Sequence, residues 1–91
     1  MFIFITAKGY YTDMKIYWYN GRKNIIGDRL RQIRREKKLS QNDVAALLQL
    51  KGYEFDRLTI LRIENGKRFV PDYEVKMLCE VLGVSYGELL D

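Results

Sequence analysis

At 91 residues the chain has room for one small domain with a modest core, and a separate sensor domain is not expected. Its 16 Lys and Arg outweigh 12 Asp and Glu to give a net charge of +4, a balance that leans towards nucleic acid or an acidic surface. One cysteine, Cys79, and no histidine exclude a disulfide framework, a Cys/His zinc site and a histidine-activated nucleophile within one chain; no phosphate-binding Gly-rich loop is found either, so no enzyme, metal or cofactor is expected.

Residues 1–20 hold seven of the twelve aromatic side chains, which is β-like chemistry ahead of a helical region. Residues 2–6 and 14–19 each read as a strand, joined through Gly9, so 1–24 forms an N-terminal extension with the character of a β-hairpin. An isolated hairpin is marginal in water and needs cover. Three readings are open: a strand arm in a dimer contact, a hairpin folded on its own domain, or a leader with Met14 as the native start. The longest apolar run near the start, residues 2–5, is too short for a signal core or a membrane span, so no membrane association is expected and a reducing cytoplasm is the expected setting.

The second region, 25–91, reads as five short helices. Asn20-Gly21 marks a turn and residues 22–24 a basic connection. Helix 1 is expected over 26–38, with Ile26, Leu30 and Ile33 as a narrow apolar stripe. From Arg22 to Lys38 eight basic residues face two acidic ones, Asp28 and Glu36; a solvated charged face explains such a run as readily as a polyanion does.

Ser40 with Asp43 resembles a capping box, so helix 2 starts at Gln41 and buries Val44, Ala45, Leu47 and Leu48 before Gly52 ends it. Phe55 stands as an apolar staple before Asp56, the N-cap of helix 3; Gly66 ends that helix in the left-handed conformation. Ile60 and Ile63 fall on its inner face, Arg57 and Arg62 off it. Pro71 sets the start of helix 4, whose inner stripe is Val75, Leu78, Val81 and Leu82, and Gly83 its end. Cys79 reads as packing. Ser85 caps a last helix over 86–90.

From Gly27 onwards the chain resembles the lambda repressor-like, Cro/C1-type (XRE) helix-turn-helix family. The residues that carry the resemblance are Gly27-Asp28-Arg29-Leu30-Arg31 with Arg34, Leu39-Ser40-Gln41 with Val44-Ala45, Thr59-Ile60 with Arg62-Ile63-Glu64-Asn65-Gly66-Lys67, and Leu82-Gly83-Val84-Ser85 with Glu88-Leu89-Leu90. The resemblance implies an all-α, five-helix DNA-binding domain with helix 3 in the major groove. It implies that Gln41 holds a phosphate, that Arg57, Leu58 and Arg62 face the bases, and that Lys67 and Arg68 hold the backbone, with Thr59 and Asn65 as lesser contacts. It also implies a salt bridge between Arg34 and Glu64, which makes Arg34 structural.

Two departures stand out. The connection over 49–55 is about five residues longer than the shortest family pattern, which suggests an extended helix 2 and a reshaped turn. Leu58 and Leu61 are apolar where the family is small or polar; they would meet a thymine methyl, pack on Tyr53, or offer a surface to a protein. The expectation is a transcription regulator, of repressor type, binding a palindromic operator in double-stranded DNA as a homodimer. The alternative is an antitoxin or anti-regulator that holds a protein partner, a toxin or another regulator, on the same fold.

Overall fold

The computed structural model describes residues 21–91, so the expected strands over 2–6 and 14–19 lie outside the described residues. Those that follow form five helices and, among the described residues, no strand: α1 (Gly27–Glu36), α2 (Gln41–Leu50), α3 (Arg57–Glu64), α4 (Asp72–Leu82) and α5 (Tyr86–Leu90). The class is all-α, as the pattern of apolar residues predicts. None of these helices is long and apolar enough to cross a membrane.

Local chemistry accounts for most helix starts. Ser40 Oγ accepts from the Asp43 amide at 2.9 Å while the Asp43 carboxylate accepts from the Ser40 amide at 2.8 Å, a reciprocal box that opens α2. Ser85 and Glu88 repeat it at α5. Asp56 opens α3 by accepting from both the amide and the hydroxyl of Thr59, each at 2.8 Å.

The helix ends share one device. In each of α1, α2 and α3 a left-handed residue two places past the last turn lets the next amide reach back to the helix: Leu39 to the Arg34 carbonyl, Tyr53 to Leu48, Lys67 to Arg62. The left-handed residues are Lys38, Gly52 and Gly66. Lysine at φ 59° has no glycine-like freedom, and the conformation costs a residue with a Cβ roughly 1–2 kcal/mol. Helix 1 therefore stops at Glu36, two residues short of the expected end. Helix 2 is likewise not extended; it ends at Leu50, and Gly52 turns the chain.

The core is a single cluster of Ile26, Leu30, Ile33, Val44, Ala45, Leu48, Phe55, Ile60, Ile63, Leu78, Cys79, Leu82 and Leu89, drawn from every helix and both long connections. Each of these side chains, once buried, contributes on the order of 1.5–3 kcal/mol if it is a large aliphatic or aromatic one, and α3 lies between α1 and α2 so that its Ile60 and Ile63 are fully enclosed. The Cys79 thiol is pushed up by burial, with the Glu88 charge adding to the shift, which suits a packed side chain and not a reactive one.

A strap ahead of α1 fastens the far end of α3. The Lys23 amide donates to the Gly66 carbonyl at 2.9 Å. The Asn24 side chain donates to the carbonyls of Ile63 (3.0 Å) and Arg68 (2.9 Å) and accepts from the Gly27 amide (2.9 Å), using both of its ends. Arg22 adds a bond to the Glu64 carbonyl at 2.7 Å. These bonds draw the start of α1 so close to α3 that only glycine fits at position 27.

Candidate nucleic-acid interface

Alternation on an eight-residue helix divides α3 into two faces. Ile60, Ile63 and Glu64 point inward and are fully buried, while Arg57, Leu58 and Arg62 are exposed on the outer side together with Asn65 at the C-cap; Leu61 between them is half-buried. The outward residues recur at steps of three and four, so they form one stripe along the helix. Leu58, 45% exposed, lies in the middle of that cationic stripe.

Behind the stripe, Glu64 is a carboxylate with 0% exposure and four hydrogen bonds. Arg34 of α1 grips it with two nitrogens, Nε at 2.6 Å and Nη2 at 3.0 Å. Arg31 donates from Nε at 3.3 Å, and Gln41 of α2 from Nε2 at 3.1 Å. Arg34 is also bound to the Leu39 carbonyl at 2.9 Å, which fixes the bend between α1 and α2. One carboxylate thus joins three helices.

Burial by itself would raise the Glu64 carboxyl. The donors of Arg34 and Gln41 and the charge of Arg34, with Arg31 behind them, outweigh that and hold it below the usual carboxylate range. Asp56 is lowered first by the Thr59 amide, then by the Thr59 hydroxyl, with Arg62 contributing charge. Glu88 is lowered by the Ser85 amide and hydroxyl.

Depressed folded values mean that the unfolded chain binds more protons as the pH drops through the carboxylate range, so stability rises with pH there. It is fully present above the unfolded values of about 4.3 and is lost as the pH falls through the folded ones. The urea midpoint is expected to stay level from neutral pH to about 5 and to fall steadily below about 4. An unchanged midpoint at about pH 3 would contradict this account of the three carboxylates.

The residues expected to meet DNA fall into two sets. Arg57, Leu58 and Arg62 share the outer stripe, and Lys67 follows it; among the described residues, the charged groups of Arg62 and Lys67 have no hydrogen-bond or ion-pair partner. Gln41 stands at the start of α2 with its amide engaged at both ends, donating to Glu64 and accepting from Arg57 Nη1 at 3.3 Å. That contact sets Arg57 at the open edge of the stripe. Asn65 accepts from Arg31 Nη2 at 2.9 Å.

Thr59 and Arg68 are occupied within the fold. The Thr59 hydroxyl caps α3 through Asp56. The Arg68 fork closes on both oxygens of Glu74, one bond being 3.0 Å, and its guanidinium lies 5.8 Å from the Phe55 ring centroid. Tyr53 does not cover Leu58 either: its hydroxyl donates to the Glu80 carboxylate at 2.9 Å, tying the long turn to α4. Gln49 Nε2 holds the same turn through the Phe55 carbonyl at 2.6 Å.

Sequence reasoning missed the part played by Asn24, which it read as basic linker. The available signal was its spacing, since an Asn three residues before a helical amide is an N-cap position. It also missed that Gln41 touches the Arg34–Glu64 pair, a contact between helices that no local pattern announces.

A family model described as a helix-turn-helix domain matches residues 25–91. Among solved structures, the restriction-modification controller protein C.AhdI from Aeromonas hydrophila is similar at 34% identity, with a TM-score of 0.61 over 70% of this chain and 86% of that one. The DNA-binding domain of BldD is similar at 26% identity, with a TM-score of 0.63 over 76% of this chain and 93% of that one. No curated protein matches the chain by sequence.

Proposed function

The chain belongs to the Cro/C1-type helix-turn-helix family of DNA-binding proteins, and from that premise we propose that it is a transcription regulator, a repressor, which binds a palindromic operator as a homodimer. Residues 25–91 are its DNA-binding domain, and α3 enters the major groove with its fellow in the second subunit about 34 Å away, one turn of the duplex. The observation that carries this reading is the outer stripe of α3, where Arg57 and Arg62 stand exposed on a helix whose inner face is locked by Glu64.

Within that reading Arg62 takes a guanine edge, since its fork can donate to both O6 and N7. Arg57, steadied by Gln41, works beside it, and Leu58 between them meets a thymine methyl. Lys67, Gln41 and Asn65 follow the phosphate backbone. Thr59 and Arg68 serve the frame that presents the stripe, because their polar groups are spent on Asp56 and Glu74.

A band-shift with a genomic fragment library tests the proposal; no sequence-selective complex at moderate salt would sink it. On the selected operator, Arg62→Ala is expected to cost about 1–3 kcal/mol and to relax the choice of base at one position. Lys67→Ala is expected to weaken binding to all sequences alike and to reduce the salt slope by about 1. Equal losses from both variants on specific and random DNA would remove the division of labour.

A second reading is favoured by Leu58, a large apolar side chain exposed at the centre of the stripe. In that case α3 holds a protein partner, a toxin or another regulator. Co-purification of a stoichiometric partner that Leu58→Ser releases, with no operator found, would establish it over the first.

A further inference from the structure

The side of the domain away from the α3 stripe carries an open apolar groove of about 890 Å³, a volume in the range that takes a whole drug-sized ligand. Ile25, Phe69, Tyr73, Tyr86 and Leu90 line it, each between 41% and 60% exposed. One face therefore leaves five large apolar side chains in contact with water on a domain this small, which marks a surface that something covers.

The polar groups around the groove do not suit a small ligand. Asn24 has both ends of its amide engaged, and Arg22 is committed to the Glu64 carbonyl and, at 3.4 Å, to Asp28. Lys23 lies over the Phe69 ring, 5.5 Å from its centroid. What remains is apolar area with cations at the rim.

We propose that residues 14–19 of this same chain occupy the groove, with Tyr17, Trp18 and Tyr19 laid against Phe69, Tyr73 and Tyr86. The wall of the groove begins at Arg22 and Lys23, so the chain enters the described domain from the groove itself. Three to five residues at about 3.3 Å each carry Trp18 and Tyr17 along its length without strain. Gly21, at φ 77°, gives the reversal that such a return requires. Tethering sets an effective concentration of about millimolar for a short linker, which a second copy at ordinary protein concentration does not match. Of the three readings of the N-terminal extension, the groove thus selects the one in which it folds on its own domain. Its aromatic residues and this face are the two halves of one small apolar layer.

Trp18 is the only tryptophan in the chain and reports directly on the contact. In the full chain its emission is expected to be blue-shifted relative to the urea-unfolded protein, by an amount that does not change on dilution. Tyr73→Lys and Phe69→Asp, at half-exposed positions, are expected to move the emission to that of the unfolded chain while the helical circular dichroism remains. Unfolded-like emission in the native full chain overturns the proposal. So does a blue shift that survives both substitutions. A blue shift that vanishes on dilution assigns the groove to a second copy and overturns it as well.

Discussion

Replacing Glu64 with alanine is expected to lower the stability of the domain by about 3–5 kcal/mol, because it strands the Arg34 guanidinium in the interior without its charge partner. At the size of this domain each kcal/mol moves Tm by about 4–8 °C, so the loss amounts to roughly 10–40 °C. The cost comes from position. Glu64 is fully enclosed, and Arg34 reaches it with two nitrogens across the α1–α3 contact. Removing both charges together is a different experiment: Arg34→Met with Glu64→Leu leaves no orphan, and is expected to recover much of what either single change loses. Urea unfolding of the four proteins gives the coupling energy. A Glu64→Ala variant within about 1 kcal/mol of the parent would mean that the pair is not what joins α1 to α3.

Gly27→Ala is the second large effect. A Cβ at that position would lie 2.3 Å from the carbonyl oxygen of Ile63 and 3.0 Å from that of Glu64. Both atoms are backbone, inside or at the end of a helix, so neither can step aside as a flexible side chain would. Overpacking ordinarily costs about 1–3 kcal/mol, and with rigid neighbours the expected loss is at or above the upper end. Since α1 would be displaced from α3, the bonds from Asn24 and Arg22 should loosen with it. Thermal melts measure the stability loss, and amide exchange at Gly27 and Gly66 reads the strap. A fully stable Gly27→Ala protein would show that the two helices can move apart at little cost.

Much of this architecture was legible because its punctuation is local. Ser40 with Asp43, Asp56 with Thr59 and Ser85 with Glu88 each close a helix start within four residues, a distance that a sequence displays directly. The apolar stripes of α3 and α4 were legible for the same reason. The end of α1 was not, since Lys37 and Lys38 are ordinary helix residues and the stop rests on a left-handed lysine where the other helices use glycine. Arg68 was read as an anchor for DNA from its charge alone; its pairing with Glu74 depends on where α4 lies. Gln41 likewise carried a role by resemblance, while its link to both Glu64 and Arg57 comes from the packing of α2 on α3. Local chemistry marks where helices begin, and only the fold decides which charges remain free at the surface.

The strap ahead of α1 also has a consequence in time. Asn24 is separated from Arg68 by 44 residues, although the two are hydrogen-bonded. A ribosome adding about 5–20 residues per second needs roughly 2 to 9 s to make that interval. Throughout it the nascent chain carries an asparagine and a glycine fitted to a helix end that has not yet been made. α1 and α2 can form as they emerge, but the first residues of the domain reach their final bonds among the last, after α3 has left the exit tunnel and turned at Gly66.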